Sequence, residues 1–195
     1  MSDTSSSTSI TEDILLKASV IPVYSADGNT VKFGDLYSAR ETVVTCQDYV
    51  RQLAKIRPES LEKAQKDLVV IGCGSFEPIK AYCETAGYSG KIFGEPTREL
   101  HRLFGLVESL DRTPAGEQQR EYISPKPYLS RVLISIWRGP LKRPQDFGKQ
   151  GNFSQLGGDF ILGPGNRCSF ASRMKHTEDH VEINELMREA GVEFP

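Results

Sequence analysis

The sequence has little of three features that would assign it to a common class of protein. Its 195 residues contain only four cysteines, too few for a disulfide scaffold in a chain of this length. Its formal net charge is −2, which argues against a broad basic surface for nucleic acid. No apolar run approaches the ~20 residues of a membrane span, and the first residues carry no apolar signal-peptide core. We therefore expect a cytoplasmic protein, in a reducing compartment, that binds neither nucleic acid nor membrane.

The composition is otherwise that of an ordinary globular protein, with 38% hydrophobic and 26% charged residues. A chain of this length can bury one full core. Residues 1–9 are rich in serine and threonine, so a disordered tail is expected there. Residues 10–195 are predicted to form a single domain.

Apolar patterns in the first half predict a hairpin and then three strands, each followed by a helix. The hairpin turns at Asp27-Gly28, and the continuous apolar run Asp67–Gly72 is typical of a parallel strand buried on both faces. The predicted strands are 21–24, 30–33, 42–45, 67–72 and 91–94. The predicted helices are a short one at 10–18, a single turn at 34–38, one from Cys46 to Pro58 and one at 58–66. Two more are predicted from their end residues: Ser75 caps the first and Gly87 ends it, and Thr97 caps the second and Gly105 ends it.

The second half is predicted to contain a loop, a helical insert, a hairpin and a final helix. These segments are 106–126, 129–137, 158–171 and 181–190. Alternation of strand and helix implies a parallel core, and the closing hairpin adds an antiparallel edge. The predicted fold is therefore α/β: a thioredoxin-like three-layer α/β/α sandwich with an N-terminal hairpin and a helical insert.

Cys46 lies at the predicted junction between the central strand and the first long helix. Thr45 is a good N-cap residue, and Asp48 follows three residues later, as in a capping box. A thiol in the first helical turn is close to unpaired backbone N–H groups and to the positive end of the helix dipole, which favour the thiolate. The pattern therefore predicts a reactive cysteine; the alternative is a small apolar residue that fills the junction.

Four segments carry a resemblance to a known family. In chain order they are Cys46–Arg51, Asp67–Gly74, Gln155–Phe160 and Asp179-His180. Together they resemble the peroxiredoxin-like proteins of the AhpC/TSA group, within the thioredoxin superfamily, and the fungal-type members most of all. This resemblance implies a thioredoxin-like fold and a thiol-dependent antioxidant activity.

The chain departs from that family at Cys46. Family members usually present a Cys-x-x-Cys motif after an aromatic-rich turn and just before a tyrosine-bearing helix. Here Cys46 corresponds to the second cysteine, the first has no counterpart, and about eight to ten residues that include the end of the central strand are missing. Three explanations stay open: a real deletion in a catalytically degenerate protein, an alternative or mispredicted splice junction, or a lone reactive thiol at Cys46.

A sulfenic acid formed on Cys46 by peroxide would need a second thiol to return to the reduced state. Cys73 follows a buried strand at its carboxyl end, where the sites of open α/β sheets assemble, and is the second candidate catalytic residue. Glutathione or a partner thioredoxin are alternative reductants, and no cofactor is expected. Cys83 lies on a buried helical stripe and Cys168 in the second hairpin, so packing is the predicted role of both.

His176 and His180 are four residues apart with carboxylates between them, a spacing that metal sites use on helices. Their segment precedes the last predicted helix and is expected to be a loop. Metalloproteases need a glutamate directly after the first histidine, and Thr177 stands there. We therefore predict no metal site.

Three functions are consistent with these observations, and the first two belong to different classes. The first is a peroxiredoxin-like, thiol-dependent antioxidant oxidoreductase, impaired by the missing first cysteine, with Cys46 as the remaining redox residue. The second is a non-catalytic thioredoxin-fold module that binds a partner or acts as a scaffold, which the missing cysteine favours. A third is a non-redox role in which a pocket beside Cys46 binds a ligand.

Overall fold

The computed structural model describes residues 10–46, 50–114, 148–149 and 151–194. These residues form one seven-stranded sheet with helices on both faces. The strands are β1 (Pro22–Ser25), β2 (Thr30–Lys32), β3 (Thr42–Cys46), β4 (Asp67–Gly72), β5 (Lys91–Gly94), β6 (Gly158–Gly163) and β7 (Arg167–Arg173). The helices are α1 (Glu12–Ser19), α2 (Val50–Leu53), α3 (Pro58–Lys63), α4 (Ile79–Ala86), α5 (Glu99–Leu103) and α6 (Ile183–Glu189), and a 3₁₀ turn spans Phe33–Leu36.

The sheet is mixed, with the strand order β2-β1-β5-β4-β3-β6-β7. β4 is parallel to both of its neighbours, β3 and β5, whereas β1 joins β5 and β6 joins β3 in antiparallel fashion. Parallel neighbours follow from the alternation of strand and helix, because a crossover helix returns the chain to the end of the sheet where it began. The predicted parallel core and the closing antiparallel hairpin are confirmed.

Successive strand side chains point to opposite faces of the sheet and divide the core into two parts. On one face Val43 and Val70 pack with residues of α2, α4 and α6. On the other face Val44 and Ile71 pack with residues of α1 and α5. A strand that is covered on both faces must be apolar throughout, which explains the run Asp67–Gly72. The predicted α/β/α sandwich with a thioredoxin-like arrangement is confirmed.

The predicted start of the first long helix at Cys46 is wrong. Cys46 is the last residue of β3 and is in register with Ile71 of the parallel neighbour β4. Thr45, predicted as the N-cap, donates its hydroxyl hydrogen to Asp159 Oδ1 at 2.5 Å. Cys46 therefore pairs with β4 and the Thr45 hydroxyl binds Asp159, where the prediction had used both residues to start a helix. The described part of α2 begins at Val50.

The predicted start of α4 is also wrong, whereas its predicted end is confirmed. α4 begins at Ile79 rather than directly after Ser75, and the Ser75 hydroxyl donates to the Glu77 carboxylate instead. Gly87 follows the helix in the left-handed conformation, with φ of 67°, and its N–H donates to Cys83 O. Glycine adopts this conformation without the steric cost that a Cβ would add.

Several predictions concern residues outside the described part of the chain. They are the disordered tail at 1–9, the helical insert at 129–137 and the capping role of Asp48. Within the described part, the helices are all too short or too polar to cross a membrane.

Candidate active site

Cys46 ends the strand that lies between β4 and β6, at the carboxyl edge of the parallel core. Its side chain is half-buried. The Gly158 N–H donates to Cys46 Sγ at 3.2 Å, and the thiol in turn is 3.5 Å from Gly158 O. A donated N–H stabilises sulfur more when it is a thiolate than when it is a thiol. Among the described residues, a backbone N–H that reaches the Cys46 sulfur comes from β6, whereas the residues that directly follow Cys46 lie outside the described part of the chain.

β6 can approach Cys46 this closely because Gly157, the residue before β6, has no side chain. A Cβ added to Gly157 would lie 2.5 Å from Cys46 Cβ and closer still to its sulfur. The backbone there is fixed as well, since Met174 N–H donates to Gly157 O at 3.1 Å. Two successive glycines therefore shape the surroundings of the Cys46 sulfur.

A small cavity opens beside Cys46, on the face of the sheet that carries α1 and α5. Its volume is about 20 Å³, which is room for roughly one water molecule. The cavity wall is mostly apolar, and the lining residues are Phe33, Val44, Thr45, Cys46, Ile71, Leu100, His101, Phe104, Leu106, Gly158 and Phe160. Edge-to-face ring contacts hold the aromatic part of this wall, with centroids 5.7 Å apart for Phe33–Phe104 and 5.0 Å for Phe104–Phe160.

His101, which lines this cavity, forms a buried pair with Glu95. Glu95 is fully buried and His101 is 5% exposed, and His101 Nδ1 lies 3.8 Å from Glu95 Oε2. The carboxylate also accepts the Leu100 N–H at 3.2 Å and the Thr97 hydroxyl. Burial by itself would raise the pKa of the Glu95 carboxyl, but His101, Thr97 and the Leu100 N–H outweigh it and hold that pKa below its usual value.

The lowered pKa of Glu95 implies that acid weakens the fold. An ordinary glutamate has a pKa of about 4.3, so the ionised Glu95 stabilises the folded state above that pH, and this stability is lost as the pH falls through its lower folded pKa. We expect Glu95→Gln to reduce the free energy of unfolding at pH 7 by about 1–3 kcal/mol. We also expect it to flatten the loss of stability below about pH 4. Urea unfolding over a pH series measures both effects.

Glu99→Gln is the matched control, because Glu99 is exposed and lies in the first turn of the same helix, α5. It should leave the pH dependence nearly unchanged. If Glu95→Gln also followed the pH dependence of the unsubstituted protein, folding would not lower the pKa of the Glu95 carboxyl.

On the opposite face of the sheet, Asp159 organises a second buried polar group. Its Oδ1 accepts the Thr45 hydroxyl at 2.5 Å, while its Oδ2 accepts the Val181 N–H and lies against His180 Nδ1, both at 3.2 Å. Asp159, Thr45 and His180 are each at most 2% exposed. This group fixes the residues that directly adjoin Cys46 and Gly158 in sequence, so it positions the two strands between which the sulfur lies.

Cys73 lies beyond the end of β4 and is not among the residues that line the cavity. Its thiol donates to Asn152 O at 3.6 Å, and a Cβ on Gly151 would lie 2.6 Å from its sulfur. Cys46 is in register with Ile71, so Cys73 comes two residues after the partner of Cys46 and one residue past the end of β4. A chain that kept strand spacings of about 4.8 Å between strands and 6.6 Å along them through Cys73 would place the two α-carbons about 8 Å apart, beyond the ~4.4–6.8 Å of disulfides. At that separation a direct Cys46–Cys73 bond would require the backbone to move.

Cys83 and Cys168 are half-buried and pack against the two parts of the core, in agreement with the packing role predicted for them. Burial raises the pKa of both thiols. The Cys168 thiol donates to Phe170 O at 3.1 Å. A buried thiol with a raised pKa is a poor nucleophile at neutral pH.

His176 and His180, predicted to lie in a loop, precede α6 and do not act together. His180 is buried against Asp159, whereas His176 Nδ1 accepts the Glu178 N–H at 3.3 Å. In the described part of the chain no group of three or more histidine, cysteine or acidic side chains is arranged to hold a metal ion.

Glu95 and His101 were not predicted as site residues, although one signal in the sequence points to His101. It adjoins Leu100 and precedes Phe104 by three residues, so helical spacing places it beside the inward stripe. The glycine pair at 157–158 and Asp159 lie inside one of the four family-like segments, but only the three-dimensional structure shows that they adjoin Cys46.

Comparison with known proteins gives consistent matches over most of the chain. Residues 52–176 match the family described as AhpC/TSA antioxidant enzyme. Peroxiredoxin-like 2C of Mus musculus is 36% identical over 185 residues, which cover 89% of this chain and 78% of the relative. The protein of the same name from Homo sapiens is also 36% identical with the same coverage. That from Takifugu rubripes is 30% identical over 191 residues, which cover 88% of this chain and 79% of the relative.

Solved structures share the fold at low sequence identity. The bacterioferritin comigratory protein of Xanthomonas campestris has a TM-score of 0.56 at 9% identity, with 90% of this chain and 91% of that chain covered. Peroxiredoxin 6 of Arenicola marina has a TM-score of 0.55 at 14% identity, with 89% and 71% covered. At these identities the likeness concerns the fold alone.

Proposed function

Since the chain belongs to the AhpC/TSA family of peroxiredoxin-like proteins, we propose that it is a thiol-dependent peroxide reductase in which Cys46 is the reacting residue. The observation that carries the proposal is the position of Cys46 Sγ, which receives the Gly158 N–H and borders the apolar cavity. Thiolates are the nucleophilic form of cysteine, and a backbone N–H donor stabilises that form. The cavity that borders the sulfur is small and mostly apolar.

The proposed reaction begins with attack of the Cys46 thiolate on the outer oxygen of a hydroperoxide. The sulfur–oxygen bond forms as the oxygen–oxygen bond breaks, so the sulfur is oxidised by two electrons and the peroxide is reduced. The outer oxygen keeps its hydrogen and becomes the hydroxyl of the sulfenic acid. The inner oxygen leaves as an alkoxide or hydroxide and takes up one proton, which gives an alcohol or water.

Return to the thiol requires two reducing equivalents from outside the cavity. An incoming thiol attacks the sulfenic sulfur, releases water and forms a mixed disulfide, and a second thiol then reduces that disulfide. The ~8 Å expected between the α-carbons of Cys46 and Cys73 disfavours a direct bond between them. We therefore propose glutathione or a thioredoxin as the reductant, which a reducing compartment such as the cytoplasm would supply.

The missing first cysteine bears on the rate of this cycle. With Cys46 at the position of the second cysteine of the family motif and no Cys-x-x-Cys motif in the sequence, the proposed protein is a slower, one-cysteine reductase. The competing function is a non-catalytic thioredoxin-fold binding or scaffold protein. Two observations favour it, because they give the other three cysteines structural roles. Cys83 and Cys168 pack against the core with raised pKa values, and Cys73 donates to Asn152 O.

The substitution Cys46→Ser tests the proposal. We expect it to reduce peroxide consumption, with glutathione or dithiothreitol as the reductant, to the rate of the reductant alone, because serine cannot be oxidised to a sulfenic acid. Cys83→Ser makes the same change at a core thiol and should keep the rate of the unsubstituted protein. Cys73→Ser should also keep it, since the proposed reductant is external.

Unchanged turnover in Cys46→Ser would refute the role of Cys46. Absence of turnover above the reductant alone in the unsubstituted protein would favour the binding or scaffold function. If Cys73→Ser lost turnover while Cys83→Ser kept it, Cys73 would be the second thiol of the cycle.

A further inference from the structure

His101 is, apart from Cys46, the one titratable side chain among the described residues that line the cavity. Thr45 also borders the cavity, but its hydroxyl hydrogen is donated to Asp159. The remaining lining residues are apolar or glycine. Among the described lining residues other than Cys46, His101 is therefore the one whose titratable side chain could exchange a proton with a molecule in the cavity.

His101 is buried although its ring nitrogen Nδ1 makes no hydrogen bond that would stabilise it there. Its side chain is 6% exposed, and its buried Nδ1 has no hydrogen-bond partner at ordinary distance. The nearest charged group to it is the Glu95 carboxylate, 3.8 Å away. Buried polar atoms in folded proteins are nearly always paired, so an unpaired one calls for a functional explanation.

Glu95 is placed to orient this imidazole and to balance a positive charge on it. The carboxylate is itself fixed by the Leu100 N–H and the Thr97 hydroxyl, and the His101 carbonyl accepts the Leu106 N–H at 2.9 Å. The Glu95 carboxylate, 3.8 Å from Nδ1, is close enough to attract a positive charge on the ring. In many sites that transfer protons a carboxylate orients a histidine by accepting a hydrogen bond from it. A closer approach of Glu95 Oε2 to Nδ1, from 3.8 Å to hydrogen-bond distance, would orient His101 in the same way.

We propose that His101, oriented by Glu95, donates the proton that the leaving oxygen requires when Cys46 is oxidised. The inference rests on the proposed function and adds a second catalytic residue to it. The protonated imidazole gives its proton to the inner oxygen of the hydroperoxide as the oxygen–oxygen bond breaks, and so becomes neutral. A proton from solvent or from the next Cys46 thiol then restores it. Glu95 is a positioning residue in this step.

Two reactions of the same sulfur separate this role from a structural one. Oxidation of Cys46 by hydrogen peroxide needs a proton for its leaving group, whereas alkylation by iodoacetamide releases iodide, which needs none. We expect His101→Gln to lower the rate constant for oxidation about 100-fold, in the range of general acid catalysis, and to change that for alkylation less than twofold. Stopped-flow oxidation and mass-spectrometric alkylation of Cys46 measure the two constants.

His176→Gln is the matched control, because it makes the same change at a histidine that does not line the cavity. It should leave both rate constants unchanged. Glu95→Gln should lower the oxidation rate constant about 10-fold and leave alkylation unchanged, since it removes the orienting charge but keeps the donor. If His101→Gln does not fold, as judged by circular dichroism, Glu95→Gln carries the test.

The outcomes distinguish this inference from the proposed function. If the unsubstituted protein reacts with peroxide no faster than glutathione does, the proposed function fails and the inference fails with it. If it reacts faster and His101→Gln reacts equally fast, the inference alone is overturned. If oxidation and alkylation fall together, His101 positions the sulfur rather than donating a proton, and the inference is again overturned.

Discussion

Replacement of Asp159 by alanine should lower the free energy of unfolding by about 3–5 kcal/mol, among the largest effects expected of any single change in this chain. The carboxylate is 1% exposed and serves three groups at once: the Thr45 hydroxyl, the Val181 N–H and His180 Nδ1. Its removal leaves these buried groups without their acceptor, and each such loss costs about 1–3 kcal/mol. Chemical denaturation monitored by fluorescence or circular dichroism measures the change.

Two further variants sharpen this prediction. Asp27→Ala is the matched control, since the Asp27 side chain is 65% exposed and its ion pair with Lys80 is expected to contribute less than about 1 kcal/mol. Thr45→Val removes one of the three partners and should cost about 1–2 kcal/mol. A loss below 1 kcal/mol for Asp159→Ala would show that the buried group does not hold β3 to β6.

Replacement of Gly157 by alanine should lower the free energy of unfolding by about 1–3 kcal/mol and slow every reaction of Cys46. The added methyl group would lie 2.5 Å from Cys46 Cβ and closer to the sulfur, so the Cys46 side chain or the start of β6 must shift. Either shift removes the sulfur from the Gly158 N–H, now 3.2 Å away. Denaturation and the rate of alkylation by iodoacetamide measure the two effects.

Gly163→Ala provides the control for this change at the other end of the same strand. A Cβ there would meet only the Glu41 side chain, at 3.6–4.0 Å, which is ordinary van der Waals contact. We expect its stability to stay within about 0.5 kcal/mol of that of the unsubstituted protein and its alkylation rate to be unchanged. If Gly157→Ala behaved in the same way, the close approach of Gly157 to Cys46 would not be what places the sulfur.

Much of the fold could be predicted from the sequence because it depends on apolar patterns that are local. The run Asp67–Gly72 predicts a buried parallel strand, and the structure places β4 over the same residues, between two parallel neighbours. Gly87 predicts the end of α4 because a left-handed residue is needed there. The order of strands and helices then leaves few topologies, of which one with a parallel core is observed.

The site was predicted less well, because its parts meet through contacts that are distant in sequence. Thr45 suits a helix N-cap as well as a strand, and its contact with Asp159, 114 residues later, decides between the two. The same contact explains why Cys46 extends β3 rather than starting a helix. Asp159, predicted only as part of a family-like segment, thus determines the local structure at Cys46.

Glu95 and His101 were not predicted as site residues for a different reason. Local patterns assign a buried position to an apolar residue, and neither side chain is apolar. Their burial depends on each other and on the Thr97 hydroxyl, so neither position would be expected from its own chemistry. The position of His101 in the wall of the cavity beside Cys46 depends on how α5 packs over the sheet, which a local pattern does not specify.

The most direct test of the central claim, that Cys46 is the sulfur that reduces peroxide, is to trap its sulfenic acid. The protein is treated with less than one equivalent of hydrogen peroxide in the presence of a dione probe such as dimedone, and each cysteine-containing peptide is then analysed by mass spectrometry. If Cys46 is that sulfur, the adduct forms on the peptide with Cys46 and does not form on those with Cys83 and Cys168. An adduct on Cys73 in place of Cys46, or none on any cysteine, would contradict it.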